Sequence, residues 1–310
     1  MADFRPGTAE QEAFLDSLLE SGLLIDSGVP GIYGRGGDFE SVCSRFGRLI
    51  TDAADDDGSE TLRFPPLLPR RQLESTGYLK SFPHLAGTVW GFTGTEAEAV
   101  TQSERASCHE DWSQYQSMGD LVLTPAACYP VYPAIAARGT LPQGGVLIDV
   151  GGAYVFRNEP SGDPARLQMF HQRELVRIGE PDAVAEWRDL WRDRALEILR
   201  GVGLDVEFEV ATDPFFGRGG RMMAASQRQQ ELKFEITGQI AGPEPTALAS
   251  FNYHQHHFAE TFGLELADGA TAHTSCLGFG LERIALALFR THGLELSEWP
   301  DDVHAGLEWK

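Results

Sequence analysis

FRNEPSGDPARLQMFHQREL, residues 156–175, sets two extended ends around a polar, proline-broken centre. A strand ends at Phe156 and Arg157, the polar centre with Pro160 and Pro164 cannot continue it, and an apolar pattern resumes at Met169. The stretch therefore predicts a hairpin with a long loop. Such a hairpin gathers Arg157, Glu159 and Phe170 on one exposed surface. Arg157 can meet a phosphate through its planar fork, Glu159 can accept from an exocyclic amine, and Phe170 can stack on a purine. Arg166 in the loop is placed to reach outer phosphates. Taken alone, the stretch also reads as an ordinary surface hairpin with an Arg–Glu pair.

A second segment, GFGLER at 278–283, supplies the complement. It begins near His273 and turns through Gly278 and Gly280 into an amphipathic helix with Ile284, Leu286 and Leu288. The glycines let that helix start close against a strand, and Arg283 in its first turn projects toward the sheet. By itself this is a glycine-softened turn with a core-pairing arginine. Together the two segments describe a surface that grips a nucleotide with arginines in place of a glycine-rich phosphate loop.

Outward from these segments, residues 8–24 and 37–53 carry apolar positions at helical spacing: Phe14, Leu18 and Leu19, then Phe39, Val42, Phe46 and Leu49. TDAADDDGSE breaks the second helix, and LRFPP follows as a short strand stopped by Pro65 and Pro66. Strands are predicted at 86–92, 119–124, 145–157, 170–178, 205–211, 232–240 and 246–253, and helices at 128–138, 181–201, 219–230 and 280–292. Strands outnumber helices between 145 and 253 and are joined by short turns. The fold class is therefore α+β, a mostly antiparallel sheet flanked by helices. With no internal repeat, low-complexity tract or linker, residues 1–310 read as a single domain.

The 310 residues, 42% of them hydrophobic, can bury a substantial core. Against 25 basic residues stand 46 acidic ones, a formal net charge of -21 that opposes unassisted approach to a nucleic-acid backbone. There is no signal-peptide pattern and no long apolar run, which points to a cytoplasmic protein. Cys43, Cys108, Cys128 and Cys276 lack CxxC spacing and read as reduced thiols.

Three segments in order, at roughly 37–66, 155–178 and 272–290, resemble the signature motifs of class II aminoacyl-tRNA synthetase catalytic domains. ALASFNYHQHHF at 247–258, FPPLLPR and GYLKSFPHL narrow the resemblance to seryl-tRNA synthetases. MFHQRELVRIG, TPAACYP and HTSCLGFG place Glu174, Cys128 and Cys276 where the atypical zinc-dependent seryl enzymes of methanogens carry metal ligands. Those enzymes carry an N-terminal tRNA-binding domain, and none is expected here because the first motif-like helix begins within about forty residues of Met1. The chain thus most resembles their truncated bacterial homologues, the amino acid:[carrier protein] ligases.

That resemblance implies a set of roles. Arg157 and Arg283 would be catalytic; Arg157, Glu159, Arg166, Leu167, Phe170, Ala247, Leu248, Ala249, Ser250 and Arg283 would bind ATP. Cys128, Glu174, Lys233 and Asn252 would meet the amino acid, with Lys233 facing its carboxylate. Zn2+ would sit on Cys128, Glu174 and Cys276, a tetrahedral set with one open position. Mg2+ is expected with ATP but receives no protein ligand, because Thr246 and Ala247 stand where seryl enzymes usually place a glutamate.

Glycine or alanine would be activated as the adenylate and passed to the phosphopantetheine thiol of an acyl carrier protein, by a homodimer built through the first motif, with neither tRNA nor membrane involved. The general base for thiol attack stays open among His254, His256, His257 and His273. RGGRMMAASQRQQELK at 218–233 is the candidate carrier-docking helix, with Arg218, Arg221, Arg228 and Lys233 against Glu231. Alternatives are tRNA aminoacylation by the same adenylate, or a non-catalytic regulator that binds amino acid or ATP. Retention of Arg157, Glu159, Arg166 and Arg283 argues against the regulator.

Overall fold

Val146–Phe156 and Met169–Gly179 pair antiparallel as the arms of the hairpin expected from the sequence. A computed structural model describes residues 4–55 and 57–308. In chain order the helices are α1 (Ala9–Glu20), α2 (Gly37–Asp55), α3 (Arg70–Ser75), α4 (Tyr78–Ser81), α5 (Glu96–Ser107), α6 (Val131–Ala136), α7 (Pro181–Gly201), α8 (Gly217–Gln229), α9 (His257–Phe262), α10 (Leu281–His292) and α11 (Asp301–Gly306). The strands are β1 (Leu24–Val29), β2 (Ile32–Arg35), β3 (Glu60–Leu62), β4 (Leu67–Pro69), β5 (Thr88–Phe92), β6 (Gln116–Leu123), β7 (Val146–Phe156), β8 (Met169–Gly179), β9 (Val206–Val210), β10 (Lys233–Gly238), β11 (Thr246–Gln255) and β12 (His273–Gly280).

The main sheet has seven strands in the order β3-β7-β8-β12-β11-β10-β9, and among its pairs only β3 with β7 is parallel. The chain is α+β with a mostly antiparallel sheet flanked by helices. Strands β4, β6 and β5 form a separate three-stranded sheet, and β1 and β2 a two-stranded one.

Alternation along the strands sorts the residues into two faces. Leu175, Phe251, Leu277 and Phe279 are buried with Phe39, Phe46 and Ile50 of α2, Trp191 of α7, and Leu286 and Phe289 of α10. Truncating any of these enclosed aromatic rings costs roughly 3 to 5 kcal/mol. On the other face, α6 and α9 pack through Tyr132, whose ring stacks on Phe258 at 4.1 Å, beside Val150, Val176 and Cys276. The part of that face left between them is where polar side chains line up.

Helix α7 spans the predicted 181–201, begun by Pro181 at its first turn, where a missing N–H costs nothing. The helix expected at 8–24 stops at Glu20, because Gly22 turns to φ +72 and redirects the chain into β1. The helix expected at 128–138 is shorter, since residues before Val131 form the turn that carries Cys128. The elements not anticipated include the β1–β2 hairpin, α5 and the short helices α3, α4, α9 and α11. Among the described residues, no helix is long and apolar enough to cross a membrane.

Candidate active site

Two rows of residues cross the sheet in register. Lys233, Asn252, Cys276 and Val176 face one another on β10, β11, β12 and β8, and Glu235, Ser250, Gly278 and Glu174 form the next row. Cys128 approaches from the turn before α6, positioned by Ala127, whose N–H donates to Gln172 Oε1 at 3.3 Å. Ligand atoms of Cys128, Glu174 and Cys276 all lie within 4.8 Å of one another, and the three residues are buried. Three residues far apart in sequence are thus brought to one point, as the resemblance implied.

The electrostatics of this point fit a cation. Glu174 Oε2 is enclosed without a hydrogen-bond partner. Burial raises the Glu174 carboxyl to about 7, opposed by hydrogen bonds from Cys128. Its hydrogen bond with Cys276, and then burial, push the Cys128 thiol well up. For Cys276 the bond with Cys128 pulls down, yet burial and the Glu174 charge leave that thiol raised. The two raised thiols would lose their protons to a bound divalent ion, and two sulfurs with one carboxylate oxygen suit a borderline-soft metal. Asn252 Nδ2 and His254 Nε2 each lie 3.7 Å from Cys276 Sγ. Gly278 makes room for the cluster, since a Cβ there would lie 3.1 Å from Glu174 Oε1.

Next to the cluster stands a wall of arginines. The neck of the β7–β8 hairpin is closed by Arg157 N–H donating to Gln168 O at 2.8 Å, and the Arg157 guanidinium lies 5.4 Å from the centre of the Phe170 ring. Arg283 donates through Nε to Ala165 O at 2.8 Å and through Nη1 to Ala247 O at 3.0 Å, which ties α10 to the hairpin loop and to β11. Burial, with repulsion from Arg157 and Arg166, pushes Arg283 down to about 10. Cations crowded in this way favour an anion between them. A slot of about 10 Å³ is lined by Ala165, Leu167, Phe170, Glu282 and Arg283, so its walls must part to admit a planar base. Arg166 lies half-exposed at the rim, 3.6 Å from Asp163. Glu159 is close enough to act on Arg283 through its charge. Leu248 and Ala249 bury their side chains in the core, leaving only backbone for a ligand, whereas Ser250 lies on the polar face.

Lys233 is buried, with Nζ 2.7 Å from Asp213 and 2.9 Å from Glu235. Asp213 is fixed in turn by Gln227 Nε2 at 2.8 Å. Nothing in the local pattern around Asp213 announces this role. Lys233 consequently leaves the basic patch on 218–233, and the helix itself ends at Gln229. Arg218, Arg221 and Arg228 remain exposed beside Met222, which is 78% exposed, and Phe216.

Of the histidines considered as bases, burial holds the His254 imidazole down to about 3. A His257 ring nitrogen lies 3.1 Å from Thr76 O, His273 bonds the Tyr253 hydroxyl, and His256 is an exposed neighbour of Glu260. His254 is thus a weak base.

No family model matches the chain. It is 49% identical to amino acid--[acyl-carrier-protein] ligase 1 of Bradyrhizobium diazoefficiens over 300 residues, covering 96% of this chain and 91% of that protein. Identity to ligase 2 of the same organism is 46%, covering 96% of this chain and 88% of the relative. In fold the chain is similar to the Methanopyrus kandleri seryl-tRNA synthetase solved with a selenocysteine tRNA, with a TM-score of 0.80 and 19% identity over 95% of this chain and 60% of that one.

Proposed function

Because the chain belongs to the amino acid--[acyl-carrier-protein] ligase family, we propose that it activates glycine or alanine with ATP and transfers it to the phosphopantetheine thiol of an acyl carrier protein. The observation that carries this reading is one sheet face on which the Cys128–Glu174–Cys276 cluster adjoins the arginine wall, near enough for Arg157 to lower the Glu174 pKa.

In the first step the amino-acid carboxylate attacks the α-phosphorus of ATP, and pyrophosphate leaves. The chain aligns the two reactants and stabilises charge on the pentacoordinate phosphorus, tasks that fall to Arg157 and Arg283. Phe170 and Arg283 sandwich adenine, Glu159 accepts from its amine, Arg166 and the Leu167 backbone hold outer phosphates, and the 247–250 strand with Ser250 flanks the nucleotide. Cys128, Glu174 and Cys276 would hold Zn2+, which would supply a Lewis acid for the substrate α-amino group, and Mg2+ bound with ATP would neutralise phosphate charge. Asn252, beside Cys276, borders the amino acid. Lys233, already paired with Asp213 and Glu235, sets the charge of the pocket floor more than it offers a free cation.

In the second step the carrier thiolate attacks the adenylate carbonyl and AMP leaves. The carrier docks on α8 through Arg218, Arg221 and Arg228, a cationic exception on a chain of net charge -21. A homodimer through α2 is part of the same reading. The outward side of that helix borders a polar cleft of about 330 Å³ lined by Arg35, Arg48, Thr51 and Arg63, ready for charged groups of a second copy.

The test is amino-acid-dependent pyrophosphate exchange, run with glycine and alanine, followed by competition between phosphopantetheinylated carrier and bulk tRNA as acceptors. Charging of tRNA alone would sink the proposal.

A further inference from the structure

The β1–β2 hairpin lies outside all three signature segments, yet it grips the nucleotide wall at two points. Its Pro30-Gly31 turn, with Gly31 at φ +79, meets the end of the long loop: Gln168 N–H donates to Gly31 O at 2.8 Å, and Gln168 Nε2 donates to Pro30 O at 2.8 Å. The approach is close, because a Cβ on Gly31 would sit 3.3 Å from Arg166 O and 3.2 Å from Gln168 Cγ.

At the other end of the hairpin, Arg35 Nη1 donates to Glu282 Oε1 at 3.0 Å. Glu282 is 2% exposed, and its carboxylate also accepts from His171 N–H at 3.0 and 2.8 Å, with His171 Nδ1 lying 3.0 Å away. Arg35 is anchored further by Glu40 at 2.6 Å. A buried carboxylate is stable only with such partners, so Glu282 is fixed by β2 and β8 together.

The residues adjoining these clamps are the walls of the slot. Phe170 lies between Gln168 and His171, and Arg283 follows Glu282. We propose that the β1–β2 hairpin is a brace for the nucleotide site, with Arg35 and Glu282 acting as positioning residues that set the spacing of Phe170 and Arg283. The proposal rests on the reading of this slot as the ATP site. Arg35 lies outside the slot, whereas Glu282 borders it and is held from behind by Arg35 and His171. Loss of the brace lets the two walls drift and weakens ATP binding, while the amino-acid side of the pocket, built on Cys128, Glu174 and Cys276, is untouched.

The experiment compares Arg35→Met, Glu282→Gln and the double variant, each checked for folding by circular dichroism and thermal melting. ATP affinity is measured by calorimetry, and pyrophosphate exchange is measured with ATP and amino acid varied separately. The expected result is a rise of about tenfold in ATP KM and Kd for each single variant, little change in amino-acid KM, and a double variant no worse than Glu282→Gln alone. Arg35→Lys should restore part of the affinity. Should Glu282→Gln fail to fold, Arg35→Met and Arg35→Lys carry the test. Wild-type exchange with unchanged ATP affinity in the folded variants overturns the brace alone, as does an equal rise in both KM values. A wild-type chain that neither exchanges nor binds ATP overturns the ATP reading and the brace together.

Discussion

Gly278 lies directly across the β8–β12 ladder from Glu174, and its missing side chain is what leaves space for the Glu174 carboxylate. The glycine has no positive φ to explain it, so close approach is its function here.

Substituting Gly278→Val should therefore displace Glu174 from Cys128 and Cys276. Overpacking of this kind costs about 1 to 3 kcal/mol. Metal content, measured by atomic emission after dialysis, should fall in this variant and equally in Cys128→Ser and Cys276→Ser. Chelation of the unsubstituted protein should lower its Tm, because an ion that binds only the folded chain stabilises it by mass action. Full zinc occupancy in Gly278→Val would show that Glu174 is not a ligand.

Arg283 is held by two carbonyls and repelled by two arginines, so it is presented to an anion without freedom to turn away. Arg283→Lys keeps charge but loses the planar fork that meets Ala165 and Ala247 from two separate nitrogens. Exchange kcat should fall by roughly 10² to 10³ in Arg157→Ala and Arg283→Ala, with Arg283→Lys closer to alanine than to wild type. Steady-state exchange at saturating ATP checks this, and near-normal turnover in Arg283→Lys would remove the geometric argument.

How much of this was legible in the sequence follows from the range of the forces involved. The hairpin around residues 157–169 could be read because prolines and polar residues interrupt an apolar pattern locally, and α7 because a proline starts an amphipathic run. Helix α5 was invisible: none of its residues is buried, so it carries no apolar stripe. The β1–β2 hairpin was missed because LIDSGVPGIYGR has little alternation, and its importance lies in Arg35 reaching Glu282, 247 positions away. Cys128, Glu174 and Cys276 came from family resemblance, since no spacing links them. The Lys233–Asp213 pair came from neither.

That pair gives a stability signature. Burial alone would raise the Asp213 carboxyl above its ordinary 3.8, but the charge and hydrogen bond of Lys233, with a hydrogen bond from Gln227, hold it lower. A depressed carboxylate contributes stability that is present above 3.8 and lost as pH falls through its folded value. Burial opposes the Lys233 charge, yet Asp213 and Glu235 raise its pKa above 10.5, so its share is present below that value and lost at higher pH. Asp213→Asn should cost roughly 2 to 3 kcal/mol at neutral pH. The gap to wild type should narrow as pH falls below about 4, the range in which a free aspartate gains its proton. Urea unfolding across pH 3 to 8 measures it. A gap independent of pH throughout would assign the loss to packing.

As the proposed carrier-docking helix, α8 should serve the second half-reaction alone. Arg218, Arg221 and Arg228 are exposed, and among the described residues no salt bridge to them is found, so their field is directed outward. On a chain of net charge -21 this is an unusual place for an acidic partner to approach. Reversing Arg221 and Arg228 to Glu should raise the KM for carrier protein by about tenfold or more and weaken the salt dependence of transfer, because rim charges act mainly on encounter. Pyrophosphate exchange should be unchanged, since neither arginine belongs to the slot or to the metal cluster. Transfer kinetics equal to wild type at low salt would move the docking surface elsewhere. Loss of exchange alongside transfer would mean instead that α8 supports the pocket, through Gln227 and its hold on Asp213.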